Sequence, residues 1–174
     1  MKPVVISGCS GGGKSTLIAE LARRGYRTSA EIGRAVVAAG EADPAANPGY
    51  FAALVAAREI KRALDEENLG EGPTFFDRSL IDQIAFAART GSALPGELGA
   101  VAPGDFYHQT VFFTPPWPEI FVQDTERRHD LAEAMAEYVD LHRIYPRFGY
   151  RVIDIPRGDV KARASFVLET LGLA

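Results

Sequence analysis

The sequence lacks the features that mark secreted, membrane-spanning and nucleic-acid-binding proteins. Its 174 residues include one cysteine, Cys9, which excludes an intramolecular disulfide and a cysteine-rich metal site. No apolar run approaches the roughly 20 residues that a membrane-spanning helix requires. No cluster of lysine and arginine is longer than a pair and the net charge is −4, so we do not expect a general nucleic-acid-binding surface.

The N-terminal residues also lack a secretory signal. Met1 and Lys2 lead directly into an apolar run that is too short for a signal-peptide core and has no small-residue cleavage site after it. Together with the single cysteine, this start predicts a cytoplasmic protein. The hydrophobic content of 47% and the charged content of 24% are ordinary for a soluble globular protein, and the length predicts one domain over residues 1–174.

Short apolar runs bounded by glycine or proline alternate with longer helical patterns, an order that predicts an α/β protein with a mainly parallel sheet. The helix expected at 79–90 begins with the S-x-x-D capping pattern of Ser79 and Asp82. The segment 91–104 has no regular pattern and is expected to be a partly helical excursion over the sheet. Strands are expected at 3–7, 26–29, 73–77, 110–114 and 150–155, and the other helices at 14–24, 30–40, 50–69, 131–145 and 159–171.

The most specific motif is GCSGGGKS at residues 8–15, which fits the phosphate-binding pattern G-x-x-x-x-G-K-[ST] at every fixed position. The backbone N–H groups of such a loop surround nucleotide phosphates, and side chains there would block their approach. Lys14 is expected to reach the β- and γ-phosphates and Ser15 to ligate Mg²⁺, which makes ATP and Mg²⁺ the expected cofactors. The expected nucleotide-binding residues are Gly8, Cys9, Ser10, Gly11, Gly12, Gly13, Lys14, Ser15 and Thr16.

A carboxylate stands at the end of the third expected strand, where a parallel sheet brings its C-terminal edge beside the phosphate-binding loop. There Asp77 either ligates Mg²⁺ through water or accepts the proton of an acceptor hydroxyl as a general base. A helix-capping or salt-bridged aspartate is the structural alternative. Arg78, which follows, is either the partner of Asp77 or a phosphate contact.

Two further charged pairs are candidates for substrate contacts. Glu31 and Arg34 follow the second expected strand and either hold an acceptor molecule or form a plain surface ion pair. Arg127 and Arg128 follow a proline-rich hinge, a pattern that suits either a lid that closes arginines over phosphates or an exposed charged face. Trp117, within the hinge, either stacks on a base or pins the hinge to the rest of the domain.

Taken together, these motifs resemble a family of small P-loop ATPase- and kinase-like proteins, which are grouped with AAA-type ATPases and with the nicotinamide riboside kinase domain of a bacterial NAD-biosynthesis regulator. The resemblance is carried by GCSGGGKST, EIGRAVV, FFDRSLID and the C-terminal stretch that begins with PPWPEIFVQDTERRHD, and it covers most of the chain. It implies a three-layer P-loop sandwich of the nucleoside and nucleotide kinase type, with five parallel strands in the order 2-3-1-4-5 and a lid at about 115–130.

The resemblance also implies roles for individual residues. By position, Lys14 and Ser15 contact ATP and Mg²⁺, and Asp77 is the metal-linked or basic carboxylate. The lid arginines are then Arg127 and Arg128, and Glu31 and Arg34 contact the acceptor. Apart from the resemblance, Arg78 is also expected among the substrate-binding residues.

The expected function is phosphoryl transfer to a small molecule. Ring-forming motor ATPases place a glutamate after the strand-ending aspartate, whereas Asp77 is followed by Arg78, which favours a kinase. We therefore expect an ATP- and Mg²⁺-dependent phosphotransferase that acts on a small, nucleoside-like acceptor. A nucleotide-dependent regulatory switch without a small-molecule acceptor is the alternative, and the loops at 41–50 and 91–109 show no pattern that identifies an acceptor.

Overall fold

A computed structural model of the chain describes residues 1–66, 72–94, 96, 103–120 and 130–173. Within these ranges, a five-stranded parallel sheet has the order β2-β3-β1-β4-β5. This arrangement confirms the expected α/β class and strand order. The strands are β1 (Val4–Gly8), β2 (Arg27–Ser29), β3 (Thr74–Asp77), β4 (Thr110–Thr114) and β5 (Arg151–Asp154).

The bounds of the helices agree closely with the ranges expected from the sequence. The third begins two residues before the expected start at 50, because the side chain of Asn47 accepts a hydrogen bond from the backbone N–H of Tyr50 and caps it. Its expected last residues, 67–69, lie outside the described ranges. The α-helices are α1 (Lys14–Arg23), α2 (Ile32–Ala38), α3 (Pro48–Glu66), α4 (Leu80–Thr90), α5 (Leu131–Ile144) and α6 (Val160–Thr170), with short 3-10 helices at Pro103–Asp105, Pro118–Ile120 and Tyr145–Phe148.

Both faces of the sheet are covered, as a buried parallel sheet requires. Adjacent residues of β3 point to opposite faces: Phe76 packs with Leu80 and Ile81 of α4, whereas Phe75 packs with Leu17 and Leu21 of α1. The strand β1 lies between β3 and β4, and its first three residues are fully buried. The C-terminal edge of the sheet is therefore a fixed platform for the loops that leave it.

The excursion between α4 and β4 is packed against the domain in its described part. Tyr107 is 2% exposed, and its hydroxyl accepts a hydrogen bond from the backbone N–H of Leu80 at the start of α4. A 3-10 helix at Pro103–Asp105 lies near the end of the excursion. None of the helices in the described ranges is both long enough and apolar enough to cross a membrane.

Candidate active site

The phosphate loop, residues 8–15, connects β1 to α1 at the C-terminal edge of the sheet. The ammonium group of Lys14 donates a hydrogen bond of 3.0 Å to the backbone oxygen of Cys9, and the N–H of Gly12 donates to the same oxygen. Lys14 is 7% exposed. Burial lowers its pKa, Arg78 lowers it further, and nearby carboxylates oppose the change. The lysine is thus held against the loop, at the start of the helix that follows.

The glycines of the phosphate loop are required by the protein's own backbone as well as by a ligand. Gly8, Gly11 and Gly13 have φ angles of +108°, +79° and +78°, which L side chains rarely adopt. A Cβ at Gly8 would lie 2.5 Å from backbone atoms of Thr114, and one at Gly12 would lie 2.7 Å from the hydroxyl oxygen of Thr114. The missing side chains at Gly8 and Gly12 therefore leave room for the end of β4, whereas the sequence motif alone explains them by the approach of phosphates.

Arg163 of α6 binds backbone oxygens of the phosphate loop, a contact that sequence reasoning missed. Its guanidinium donates hydrogen bonds to the backbone oxygens of Gly12 at 3.0 Å and Gly13 at 3.4 Å, and the residue is 4% exposed. The ring of Trp117 lies over this guanidinium, with 5.5 Å between the ring centroid and Cζ. Trp117 thus contacts the domain through Arg163, which favours the pinning interpretation over stacking on a base.

Asp77 ends β3 opposite Ile6 of the central strand and is 3% exposed. Its Oδ1 is buried without a hydrogen-bond partner among the described residues. Burial raises the pKa of Asp77, whereas the charge of Lys14 lowers it. Asp77 lines a second cavity together with Ser15 and Glu31. A buried carboxylate oxygen that lacks a donor, beside a serine hydroxyl, fits the oxygen ligands that Mg²⁺ binds, because Mg²⁺ takes one or two protein ligands and completes its shell with phosphates and water.

Arg78 pairs with carboxylates other than Asp77. Its side chain lies 2.7 Å from Glu137, 3.2 Å from Asp82 and 3.2 Å from Glu31. Although burial opposes it, these carboxylates hold the pKa of Arg78 above its usual value. Its φ angle of +65° is a left-handed conformation, which costs a non-glycine residue about 1–2 kcal/mol. Backbone strain at the end of β3 and three ion pairs thus place this guanidinium between Glu31 and Glu137.

A buried ion pair on α3 supports the strand ends that carry these groups. Arg62 donates hydrogen bonds to the backbone oxygens of Ala30 and Arg78, each at 3.0 Å. It also pairs with Glu59, which is 1% exposed. Burial raises the pKa of Glu59 to about 7, although the charge of Arg62 opposes the shift. Sequence reasoning missed this pair, since both residues lie in an ordinary amphipathic helix.

A main cavity of about 470 Å³ joins the phosphate loop to the acceptor-side residues. Its lining includes Lys14 and Ser15 of the loop together with the charged residues Glu31, Arg34 and Arg78. Glu31 and Arg34 are 3.9 Å apart. The cavity therefore brings together every acceptor-side residue expected from the sequence. Phe51, Gln83, Phe86 and Arg89 also line it, and these four were not expected.

The lid arginines belong to a part of the chain that the structure does not describe. Arg127 and Arg128 lie outside the described ranges, so their role stays a prediction. The hinge before them contains the 3-10 helix at Pro118–Ile120. A Cβ at Gly13 would lie 3.4 Å from Cδ1 of Ile120, which places this short helix next to the phosphate loop.

The strand order and the glycine-rich loop between β1 and α1 define a P-loop nucleotide-binding fold. The chain belongs to a family described as an AAA domain, whose model matches residues 3–163. The family resemblance drawn from the sequence motifs is confirmed. A search of curated protein sequences found no significant match.

Solved structures share this fold at low sequence identity. The NadR protein in complex with NR has a TM-score of 0.72 at 21% identity, with 99% of this chain and 51% of that chain covered. The deoxyadenosine kinase of M. mycoides with bound dATP has a TM-score of 0.65 at 16% identity, covering 98% of this chain and 99% of that chain. Thymidylate kinase from Candida albicans has a TM-score of 0.61 at 11% identity, covering 98% and 91%. At these identities the likeness shows the fold.

Proposed function

We propose that the protein is a P-loop phosphotransferase that transfers the γ-phosphoryl group of ATP to a hydroxyl group of a small, nucleoside-like molecule. The observation that carries the proposal is the main cavity, which joins the phosphate loop and Lys14 to a wall of charged, amide and aromatic side chains. A hydrolytic switch does not need an acceptor-binding wall beside its phosphate loop. The kinases among the structures with this fold support the same assignment.

On the donor side, the phosphate loop would hold the β- and γ-phosphates. Its backbone N–H groups and the positive end of α1 favour anions, and a bound polyphosphate favours the charged form of Lys14 against its burial. Ser15 and the unpartnered Oδ1 of Asp77 would hold Mg²⁺. When bound, Mg²⁺ offsets the negative charge of the phosphates. Arg127 and Arg128 are proposed as lid arginines that add to this effect.

On the acceptor side, we assign Glu31 as the general base that takes the proton of the acceptor hydroxyl group. Asp77 lines the second cavity with Ser15, whereas Glu31 lines both cavities and thus faces an acceptor in the main one. In this assignment the acceptor hydroxyl oxygen bonds to the γ-phosphorus, its proton passes to the carboxylate of Glu31, and the bond to the leaving nucleoside diphosphate breaks. Arg78, 3.2 Å from Glu31, orients that carboxylate.

The experiment is a product analysis with γ-labelled ATP, Mg²⁺ and a panel of nucleosides, sugars and vitamins. We expect label on at least one acceptor, and we expect Lys14→Ala to abolish the transfer by removing the phosphate-contacting ammonium. Lys61→Ala is the matched control, since Lys61 is exposed on α3, lies outside the lining of the main cavity and forms a surface ion pair with Asp65. Label that appears on water alone across the whole panel would instead support the regulatory switch.

A further inference from the structure

We propose that Gln83 determines which acceptor molecules are preferred by recognising the ring of the acceptor. The carboxamide of Gln83 binds an N–H donor on a flat heteroaromatic ring, so nucleosides with an amino or amide group on the base are preferred. The proposal rests on the phosphotransferase function and goes beyond it by naming the substrate class and the residue that recognises it. Three features of the main cavity carry it.

The first feature is the position of Gln83. The capping box of Ser79 and Asp82 starts α4, and Gln83 follows within the first turn, where its side chain lines the main cavity. The hydrogen bonds that fix this start are made by Asp82, which accepts from Ser7, Ser79 and Tyr145. The helix is thus anchored immediately before Gln83, and the carboxamide has a defined place in the cavity wall.

The second feature is an unsatisfied polar atom. Gln83 is 6% exposed, and its Oε1 is buried with no hydrogen-bond partner among the described residues. A buried carbonyl oxygen without a donor is costly, and native proteins pair nearly all such groups with protein, water or ligand. Because this oxygen belongs to a cavity-lining side chain, a ligand can supply the missing donor. An amide oxygen accepts from N–H and O–H groups, and on a ring the N–H donors are amino and amide substituents.

The third feature is the aromatic surface beside the amide. Phe86 lies three residues after Gln83 on α4, so the two side chains share one face of the helix. Phe51 of α3 packs edge to face against Phe86, with 5.4 Å between the ring centroids. Both rings line the main cavity. Aromatic side chains next to the carboxamide of Gln83 suit a planar heteroaromatic ring, and the charged residues elsewhere in the lining can bind the hydroxyl groups of an attached sugar.

The test compares pairs of acceptors in which one member lacks the N–H donor; in the third pair the carboxylate also changes the charge. The probes are adenosine against purine riboside, cytidine against pyrimidin-2-one riboside, and nicotinamide riboside against nicotinic acid riboside. For the wild type we expect kcat/KM to favour the donor-bearing member of at least one pair by about 10- to 100-fold. We expect Gln83→Leu to reduce that preference to less than about threefold, mainly by lowering kcat/KM for the preferred member.

Two more variants separate recognition from folding. Gln83→Glu keeps an acceptor oxygen and should retain the preference, although the added charge can lower overall activity. Gln109→Leu applies the same chemical change at an exposed site that donates to Gly149 and lies outside the lining of the main cavity. It should leave the preference unchanged. Thermal unfolding of each variant checks that the domain is intact.

Direct binding of the same probes by calorimetry distinguishes this proposal from the proposed function. Donor-dependent binding that Gln83→Leu removes, without any phosphorylated product, would support the role of Gln83 and overturn the kinase. Phosphorylated product with equal donor preference in the wild type and in Gln83→Leu would overturn the role of Gln83 alone. Failure of every probe both to bind and to be phosphorylated would overturn the assigned substrate class.

Discussion

Replacement of Glu59 by glutamine should change how the stability of the domain depends on pH. Glu59 is 1% exposed on α3, and burial raises its pKa from 4.5 to about 7. Between these two values the carboxyl group is protonated in the folded state and ionised in the unfolded state. The folded state therefore binds more protons than the unfolded state, and stability falls as the pH rises.

The size of the effect follows from the two pKa values. A rise from 4.5 to about 7 is worth about 3 kcal/mol, at about 1.4 kcal/mol for each pH unit. This contribution is fully present below the unfolded pKa of 4.5 and is lost as the pH rises through about 7. The glutamine of Glu59→Gln does not titrate, and its side-chain oxygen can still accept from Arg62. The difference between wild type and variant thus isolates the titration of Glu59.

The assay is urea unfolding of wild type and Glu59→Gln at intervals from about pH 5 to about pH 9. We expect the free energy of unfolding of the wild type, relative to the variant, to fall by about 2–3 kcal/mol across this range. Glu41→Gln is a control without pH dependence, because hydrogen bonds from Arg58 lower the pKa of Glu41 below 4.5 and the carboxylate stays ionised in both states across this range. A difference between wild type and Glu59→Gln that stays constant with pH would refute the reasoning.

Two further predictions concern the phosphate loop and the metal ligand. Asp77→Asn should keep the fold and metal-free nucleotide binding. It should weaken Mg²⁺-dependent binding and reduce kcat by about 100-fold or more, because a neutral amide is a poorer Mg²⁺ ligand. Kinetics at varied Mg²⁺ concentration measure this, and near-normal turnover at low Mg²⁺ would contradict it. Arg163→Ala should lower the free energy of unfolding by about 1–3 kcal/mol and weaken ATP binding, because it removes the donors to the backbone oxygens of Gly12 and Gly13. Thermal unfolding measures the stability and calorimetry the binding, and Arg163→Lys should restore part of both losses.

The acceptor-side contacts illustrate how a local pattern and a long-range contact differ. Glu31 and Arg34 were expected on the C-terminal edge because they follow a strand of a parallel sheet, and the main cavity contains both. The sequence allows two roles for Arg78, and its partner Glu137 lies 59 residues away on α5. Neighbours in sequence are related by backbone geometry, whereas this ion pair depends on how α5 packs against the sheet.

The phosphate loop was predictable because every part of its signal is local. Glycines, a lysine and a hydroxyl at fixed spacing, after an apolar run and before a helical pattern, specify the backbone path and the ligand chemistry together. The alternation of strands and helices likewise predicted the parallel sheet, since the handedness of its crossovers leaves few topologies. In both cases the deciding interactions lie within a few residues or follow from general chain geometry.

The tertiary structure decided which distant side chains complete the site. Arg163 reaches the oxygen of Gly12 across 151 positions in sequence, and Thr114 explains why Gly8 and Gly12 lack side chains. Gln83 looks like any polar residue of an amphipathic helix until burial leaves its oxygen unpaired in the cavity wall. Such contacts have no signature of spacing, because they arise when helices with ordinary sequences pack on one sheet. The phosphate loop was therefore visible in a motif and the proposed acceptor side only in part, through Glu31 and Arg34, whereas the partners of Arg78 and the place of Gln83 emerged from packing.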